Sequence, residues 1–254
     1  MNKSTALKID FSNFWQKVSE KVQATSNAGI KPILIIDLDG TLVDYTMRTY
    51  MIFKKALSTL DISNEVKQKV EDIKREDYDY FPRSNFERAD IGDVKIIDEL
   101  TSFWEKHYFT NHYLKYDRQM PGAYKFISNI LELGINIVYL TGRDEPNMGD
   151  GTKAWLEQQG FLKDSDPRCR LLMKTNLEIE NYESKERNGK AIGDMGQPVL
   201  IIDNEPIELQ TMWERFPGAI PVLMDMPNSG KPAKLPDDIF MIKDFLQLNA
   251  GFKN

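Results

Sequence analysis

Short apolar runs alternate with segments of helical periodicity along most of this chain. Residues 33–36, 135–140 and 199–202 are such runs, and their length suits buried strands better than helices. Between the runs, apolar residues recur every three or four positions, which is typical of amphipathic helices. The alternation predicts an α/β protein whose mostly parallel sheet is covered by helices on both faces. Further strands are predicted at 170–173, 219–224 and 239–242, and helices at 11–28, 123–133, 152–159, 184–192 and 207–215.

The segment 46–116 has a different pattern, with many charged and aromatic residues and almost no β-branched runs. Apolar side chains form helical stripes near positions 53–60 and 96–104, which predicts a small all-helical unit. Acidic and basic residues nearly balance there, as on a solvated helical surface. The chain is therefore predicted to have a discontinuous core, 1–45 and 117–254, interrupted by this helical unit.

Composition narrows the classes of partner. The 254 residues carry a formal net charge of −6, so no global positive field attracts a nucleic acid backbone. Cys169 is the single cysteine, which excludes an intramolecular disulfide. Residues 1–10 lack the apolar core of a secretory signal, and no apolar run approaches the roughly 20 residues of a membrane span. The sequence thus predicts a soluble, cytoplasmic protein with no membrane partner; it does not predict the oligomeric state.

Polar side chains follow several of the predicted strands directly. Asp37 and Asp39 come after the first run, Thr141 after the second, Lys174 after the short strand, and Asp203 after the run at 199–202. Because ligands of open parallel sheets bind outside the carboxyl ends of the strands, we expect these side chains to meet at one edge. A strand followed by a plain Asx turn is the alternative for the first motif.

This set of groups suits phosphoryl transfer. A carboxylate that attacks a phosphate dianion needs a cation between the two negative groups. Asp37 and Asp203, together with a backbone carbonyl near Asp39 and waters, would offer the oxygen ligands that Mg²⁺ prefers. The Asp39 side chain would then be free to protonate the leaving oxygen and later to deprotonate a water.

Two motifs resemble a known family. The segment Asp37-Leu38-Asp39-Gly40-Thr41-Leu42 is similar to the first motif of the haloacid dehalogenase-like superfamily, and Thr141-Gly142-Arg143 resembles the second. The resemblance spans roughly residues 33–44 and 121–224. It implies a Rossmann-like core and a reaction that passes through a phosphorylated aspartate.

The resemblance also implies individual roles. Asp37 would be the nucleophile and Asp39 the general acid/base, while Thr141 and Gly142 would bind the transferring phosphoryl group. The dehalogenase branch of this superfamily lacks the second aspartate, and the ion-pumping ATPase branch has threonine there. Asp39 therefore favours phosphatase or phosphomutase chemistry.

A lysine is implied as the third motif, where it would balance the charge of the nucleophile and the phosphate. Lys185 matches best, because in members similar to acid phosphatases this lysine opens the helix before the fourth-motif strand. Lys174 and Lys190 are the alternatives. We expect Lys185 to be both a catalytic and a phosphate-binding residue.

The fourth motif departs from the commonest pattern of a Gly-Asp pair followed by another aspartate. Asp203 carries over, and Asn204 resembles the Asp-Asn pair of small phosphoprotein phosphatases in this superfamily. Glu208 is the acidic alternative for the second ligand. The predicted metal-binding set is therefore Asp37, Asp39, Asp203 and Asn204, with Mg²⁺ as the cofactor.

The helical unit lies where one class of the superfamily has its cap, which implies that it covers the site and selects the leaving group. The segment 78–83 is a candidate substrate-facing loop, in which Arg83 or the nearby Arg88 would meet an anion. A plain turn between helices is the alternative for this segment.

The leading functional hypothesis is a Mg²⁺-dependent phosphomonoester hydrolase that acts on a small phosphorylated substrate. A phosphomutase or phosphotransferase would use the same groups, and a silent metal- or phosphate-binding module would keep the fold without turnover. Segments around Trp155 and Trp213 resemble acid phosphatase and polynucleotide 3′-phosphatase domains. The acidic balance disfavours a nucleic acid substrate.

Overall fold

A six-stranded sheet forms the centre of the structure, a computed structural model that describes residues 11–163, 165–237 and 239–252. In the described ranges the strands are β1 (Pro32–Ile36), β2 (Val43–Asp44), β3 (Arg118–Gln119), β4 (Asn136–Asp144), β5 (Cys169–Lys174), β6 (Gln197–Asp203), β7 (Ile220–Met224) and β8 (Phe240–Ile242). The sheet order is β5-β4-β1-β6-β7-β8, and each neighbouring pair is parallel. This confirms the predicted α/β, Rossmann-like class.

Helices pack on both faces of the sheet, as the apolar runs predict. Side chains of β1 alternate between two apolar clusters: Leu34 and Ile36 pack with residues of the helices at 12–27 and 123–132, whereas Ile33 and Ile35 pack with residues of the helices at 181–195 and 206–215. Burying each such side chain stabilises the fold by about 1.5–3 kcal/mol. The helices are α1 (Ser12–Asn27), α2 (Thr46–Thr59), α3 (Asn64–Glu71), α4 (Pro82–Arg88), α5 (Val94–Tyr108), α6 (Ala123–Glu132), α7 (Glu145–Gln158), α8 (Asn181–Met195), α9 (Pro206–Arg215) and α10 (Leu246–Asn249).

The segment between β2 and β3, which we call the helical insertion (46–116), consists of α2 to α5 with short 3-10 helices at Arg75–Asp77 and Asn111–Tyr116. Its apolar side chains form a cluster separate from those of the sheet, with Phe53, Phe86 and Trp104 among its buried members. The chain enters and leaves the insertion through β2 and β3, which pair antiparallel. Both ends of the insertion are thereby fixed beside the first motif.

Helix α7 begins more than one full turn before the position that the sequence predicts. The sequence predicts a helix from residue 152, but α7 begins at Glu145 because Asp144 caps it: its Oδ2 accepts a hydrogen bond from the Asn147 backbone N at 3.1 Å. Pro146 in the first turn suits this start. Gly149 and Gly151 obscured the pattern, since glycine is unfavourable within helices.

Two remaining predictions concern membranes and export. In the described ranges, no helix combines the length and the apolar composition that crossing a bilayer requires. The other prediction, that residues 1–10 carry no secretory signal, concerns a segment outside the described residues.

Candidate active site

The carboxyl ends of four neighbouring strands hold most of the predicted site. Asp37 follows β1 directly and continues its pairing with β6, since its backbone N donates to the Ile202 carbonyl at 3.0 Å. Asp203 ends β6 and Lys174 ends β5. Thr141 lies in β4, where the pairing with β5 shifts register between Leu140 and Asp144. The parallel order of these strands brings the four side chains to the same edge of the sheet.

A tight turn follows the nucleophile candidate and depends on a glycine. The Gly40 backbone N donates to the Val43 carbonyl at 2.9 Å, and the Val43 N donates to the Leu38 carbonyl at 2.8 Å. Gly40 has a φ of +84°, and a Cβ there would lie 2.6 Å from Asn204 Nδ2. Only glycine suits both the left-handed backbone and the close approach. The turn keeps Asp37 and Asp39 at the strand end.

Three carboxylates surround one ammonium in what we call the acidic cluster: Asp37, Asp203, Glu208 and Lys185. Lys185 Nζ lies 2.9 Å from Asp37 Oδ1, 2.6 Å from Asp203 Oδ2 and 2.5 Å from Glu208 Oε2. All four residues are buried. With every group ionised, three negative charges and one positive charge leave the cluster at −2.

The electrostatics of the acidic cluster reflect this excess of negative charge. Burial raises the pKa of Asp37 to about 6, and it also raises the pKa of Asp203 well above its usual value. Burial opposes the charge of Lys185, but Asp203, Asp37 and Glu208 outweigh it and raise the pKa of Lys185. The ammonium is therefore held in its charged form, and among the described residues no second cation pairs with these carboxylates.

The acidic cluster fits a divalent cation. Oxygen atoms of Asp37, Asp203 and Glu208 lie within 4.8 Å of one another. Mg²⁺ prefers hard oxygen donors and is usually bound through one or two carboxylates together with waters. Two of the four predicted metal ligands, Asp37 and Asp203, belong to this set, and Glu208 is its third member.

Asp39 belongs to a second group of charges, which we call the arginine cluster: Asp39, Arg48, Arg143 and Asp117. Arg143 Nε donates to Asp39 Oδ2 at 2.8 Å, and Arg143 Nη2 donates both to Asp39 Oδ1 and to Asp117 Oδ2 at 2.7 Å. Arg48 also pairs with Asp39, and its Nε lies 2.9 Å from Asp117 Oδ1. The Arg48 guanidinium lies 4.1 Å from the centre of the Tyr108 ring, a cation–π contact.

These contacts decide the ionisation of Asp39. Burial opposes its charge, but Arg143 and Arg48 outweigh burial and hold the pKa of that carboxyl below its usual range. Two arginines and two aspartates sum to zero formal charge. The Asp39 side chain is thus an ionised hydrogen-bond acceptor that faces the arginines, and it does not belong to the group of carboxylate oxygens from Asp37, Asp203 and Glu208.

The predicted phosphate-binding residues lie beside Asp37. Thr141 Oγ1 accepts a hydrogen bond from the Arg143 backbone N at 3.2 Å, which leaves the hydroxyl hydrogen available to a ligand. A Cβ on Gly142 would lie 2.6 Å from Asn181 Nδ2, so the backbone there passes close to α8. Both residues line a cavity of about 490 Å³ that also opens onto Asp37 and Asp39.

The alternative lysines occupy other environments. Lys174 Nζ donates to the Ile179 carbonyl and to Asn181 Oδ1, both at 3.0 Å, so it anchors the segment that leads into α8. Lys190 lies exposed on α8. Of the three lysines, Lys185 is the one within 3 Å of Asp37.

Asn204 and Glu205 bind protein groups next to the cavity. Asn204 Oδ1 accepts from Thr41 Oγ1 at 3.2 Å, and its Nδ2 donates to the Pro227 carbonyl at 3.0 Å. Glu205 Oε1 accepts from Ser229 Oγ at 2.6 Å. Each side chain ties the end of β6 to another loop. Asn204 directly follows Asp203, and both ends of its side-chain amide already have a protein partner.

Sequence reasoning missed Arg48 and Asp117 and gave Arg143 no role. One signal was available: the apolar stripe of α2 extends back from Ile52 to Arg48 at helical spacing, and a charged residue on a buried face requires a partner. The partner, Asp117, follows 69 positions later along the sequence. No local pattern connects the two residues.

A family model supplies the decisive comparison. The haloacid dehalogenase-like hydrolase model matches residues 32–182, more than half of the chain. The chain belongs to this family. The matched segment contains both motifs that first indicated the resemblance, Asp37 to Leu42 and Thr141 to Arg143. No curated protein sequence matches the chain at a significant level.

Solved structures of haloacid dehalogenase-like proteins share the fold. A family hydrolase from Streptococcus pneumoniae is 15% identical with a TM-score of 0.52, and the alignment covers 89% of this chain and 100% of that one. A superfamily hydrolase from Ehrlichia chaffeensis is 13% identical, with a TM-score of 0.50 and coverage of 86% and 94%. A protein described as a predicted phosphoglycolate phosphatase from Haemophilus somnus 129pt is 13% identical, with a TM-score of 0.51 and coverage of 86% and 96%. At these identities the similarity shows a shared fold.

Proposed function

We propose that this haloacid dehalogenase-like protein is a Mg²⁺-dependent phosphomonoester hydrolase that works through an aspartyl-phosphate on Asp37. The observation that carries the proposal is the acidic cluster at the strand ends, where Lys185 contacts Asp37, Asp203 and Glu208 beside a cavity. A nucleophilic carboxylate, a fixed ammonium and a cation site are the groups that phosphoryl transfer needs.

The first step transfers the phosphoryl group to the protein. An oxygen of Asp37 attacks phosphorus, and the bond from phosphorus to the leaving oxygen breaks. Lys185 compensates part of the negative charge on Asp37 and the phosphate, while Thr141 and the Gly142 backbone orient the phosphoryl oxygens. Asp39 delivers a proton to the leaving oxygen, which departs as an alcohol.

The second step releases phosphate. Asp39 accepts a proton from a water as that water attacks phosphorus, and the bond from phosphorus to Asp37 breaks. The arginine cluster favours the base role, because Arg48 and Arg143 stabilise the ionised form of Asp39. The acid role requires that at least one of these arginine contacts weakens.

The residues that would hold Mg²⁺ are Asp37, Asp203 and Glu208. The family resemblance adds Asn204, and the sequence adds a backbone carbonyl near Asp39, as further candidate oxygen donors. When bound, the ion would neutralise charge on the phosphate and so allow an anionic nucleophile to approach it. The helical insertion would act as the cap, because its residues Tyr80, Trp104 and Phe109 line the same cavity as Asp37. It would exclude water and contact the leaving group.

Hydrolysis of p-nitrophenyl phosphate with and without Mg²⁺ tests the proposal. We expect metal-dependent release of p-nitrophenol, and a loss of roughly 10³-fold or more in Asp37→Asn. Asp61→Asn is the matched control, because Asp61 is exposed on the helical insertion. Full activity of Asp37→Asn would overturn the nucleophile assignment.

Trapping the intermediate tests the covalent step directly. Rapid quenching followed by borohydride reduction converts an acyl phosphate to an alcohol, so we expect homoserine at position 37 by peptide mass spectrometry. Transfer of the phosphoryl group to added glycerol in preference to water would indicate a phosphotransferase. Mg²⁺-dependent turnover without any trapped species at Asp37 would contradict the mechanism.

A further inference from the structure

The cavity above Asp37 is far larger than a phosphate group needs. Its volume of about 490 Å³ lies in the range of pockets that bind whole small molecules. Strand-end residues, Asp37 and Thr141 among them, line one part of it, and the helical insertion lines another part. The lining residues from the insertion and its first linker are mainly aromatic: Tyr45, Tyr80, Phe81, Trp104, Tyr108 and Phe109.

These aromatic side chains are held in place before any ligand arrives. The rings of Trp104 and Tyr108 stack with centres 4.1 Å apart, and Tyr45 meets Tyr108 edge to face at 6.1 Å. Trp104 Nε1 donates to Thr49 Oγ1 at 3.3 Å. A rigid aromatic surface loses little conformational entropy when a ligand packs against it.

Two aromatic residues at the cavity rim are more accessible. Tyr80 and Phe81 meet edge to face with ring centres 4.8 Å apart, and Phe81 is 53% exposed. Both belong to the segment 78–83, a candidate substrate-facing loop by sequence. Arg83 and Arg88 of the same region do not line the cavity, since they pair with Asp98 and Asp79 instead. The loop therefore presents rings to the cavity, not cations.

The charges around the cavity disfavour an anionic leaving group. Across the helical insertion, all of which is described, no lysine or arginine lines the cavity, whereas Glu105 does. Glu205 and Glu208 line it from the strand ends. Of the basic lining residues, Arg143 is bound by two aspartates and Lys174 by carbonyl oxygens and Asn181. A second phosphate or a carboxylate on the leaving group would meet negative charge here.

We propose that the leaving group is an uncharged alcohol with a planar aromatic ring, such as a benzyl-type alcohol or a nucleoside, that packs against Phe81 and Trp104. This inference rests on the proposed function for its reaction but not for its binding site. The ring would occupy the aromatic part of the cavity while the phosphate lies at Asp37, Thr141 and Lys185. Aromatic stacking then lowers the KM of the substrate and has a smaller effect on kcat.

Paired substrates with the same type of scissile bond test the proposal. Adenosine 5′-monophosphate is compared with ribose 5-phosphate, and benzyl phosphate with butyl phosphate. We expect kcat/KM to favour at least one aromatic member by about tenfold or more, the size of one base-stacking contact. The pair that discriminates identifies the source of the ring. Equal values within both pairs, or a preference for phosphoglycolate, would overturn the inference.

A variant at the rim residue Phe81 tests the ring site, and a variant at Tyr124 is its control. Phe81→Ala should raise the KM of the preferred aromatic substrate several-fold, and by more than it raises the KM of the non-aromatic partner. Tyr124→Ala is the control, because Tyr124 is 56% exposed but does not line the cavity. Identical effects of the two variants would count against a ring site at Phe81.

A binding measurement separates this inference from the reaction. Adenosine and benzyl alcohol carry no phosphate, and we expect at least one of them to quench tryptophan fluorescence, with the signal lost in Trp104→Phe. Saturable quenching without hydrolysis of any phosphate would contradict the proposed function and leave the aromatic site standing. Hydrolysis without quenching and without a preference for aromatic substrates would contradict the aromatic site and leave the proposed function standing.

Discussion

Two charged clusters lie side by side at the strand ends and differ in their balance. In the acidic cluster a single ammonium, that of Lys185, serves three carboxylates, so the formal charge is −2. In the arginine cluster two guanidinium groups serve two carboxylates, so the formal charge is zero. All residues of the two clusters are buried except Asp39, which is partly exposed. Each cluster contains one aspartate of the first motif: Asp37 in the acidic cluster and Asp39 in the arginine cluster.

The difference in charge indicates that the two clusters have different roles. Buried charge without a partner destabilises a fold, so an excess of negative charge marks a place where a cation or a reacting group supplies the missing partner. The balanced cluster already has its partners, and it joins parts of the chain. Arg48 lies in the first turn of α2 and Asp117 directly after the helical insertion, so this cluster ties both ends of the insertion to Asp39.

The largest expected effect comes from removing the only cation of the acidic cluster. Lys185→Met should lower the hydrolysis of aryl phosphates by roughly 10³-fold, because the negative charge on Asp37 and the phosphate is no longer compensated. In metal-free buffer it should also lower the free energy of unfolding by about 3–5 kcal/mol, the cost of leaving buried carboxylates unpaired. Urea unfolding and steady-state kinetics measure the two effects.

Lys190→Met is the control for this prediction. Lys190 lies on the same helix, α8, but is exposed, so its loss should change the stability by less than about 0.5 kcal/mol. If both variants unfold at the same urea concentration without metal, the acidic cluster does not depend on its ammonium.

Removing one carboxylate should destabilise the arginine cluster but not the acidic cluster. Asp117→Asn should lower the free energy of unfolding by about 2 kcal/mol, because charge-assisted contacts with Arg48 and Arg143 are lost. Glu208→Gln should leave the stability of the metal-free protein unchanged or raise it, since it relieves an excess of negative charge. The two free energies of unfolding in metal-free buffer give the comparison directly. A loss of equal size in Glu208→Gln would show that the acidic cluster is balanced as well.

Some residues at the strand ends could be predicted from the sequence, and others could not. Asp37, Thr141 and Asp203 could be predicted because each follows or ends an apolar run, and parallel strands bring their carboxyl ends together. The position of Lys185 came from the family resemblance, since a lysine on a helix carries no local signal of the carboxylates it meets. Arg48 and Asp117 were missed because they pair with each other across 69 positions of the sequence.

The fold itself was easier to predict than the details of its helices. Alternating apolar runs and helical periodicity predicted the parallel sheet, since strand length and burial leave a strong local pattern. The start of α7 was misplaced because glycines inside the helix interrupt the apolar periodicity, and because the cap at Asp144 is a polar contact that the apolar pattern does not encode.

Magnesium should act on one cluster only. At ten times its dissociation constant, Mg²⁺ should stabilise the wild-type protein by about 1.4 kcal/mol, because it binds the folded acidic cluster and not the unfolded chain. The gain should disappear in Asp203→Asn and persist in Asp117→Asn. Glu205→Gln is a closer control, since Glu205 is buried next to the acidic cluster but bonded to Ser229. Thermal unfolding over a series of Mg²⁺ concentrations measures the effect, and an equal gain in Asp203→Asn would place the cation elsewhere.

The smallest expected effect is the pH dependence of the free energy of unfolding, to which Asp37 and Asp39 contribute with opposite signs. Burial raises the pKa of Asp37 to about 6 in the metal-free protein, above its value in the unfolded chain, so its contribution to stability is present at low pH and lost as pH rises through about 6. Between pH 5 and 7 the loss is on the order of 1 kcal/mol. Asp39 is shifted in the opposite direction, so its contribution is lost only as the solution becomes strongly acidic. Urea unfolding in metal-free buffer should therefore show a decline from pH 5 to 7 that Asp37→Asn reduces and Asp61→Asn retains in full, because Asp203, whose pKa is also raised, contributes a loss of the same sign. An unchanged decline in Asp37→Asn would assign it to another group.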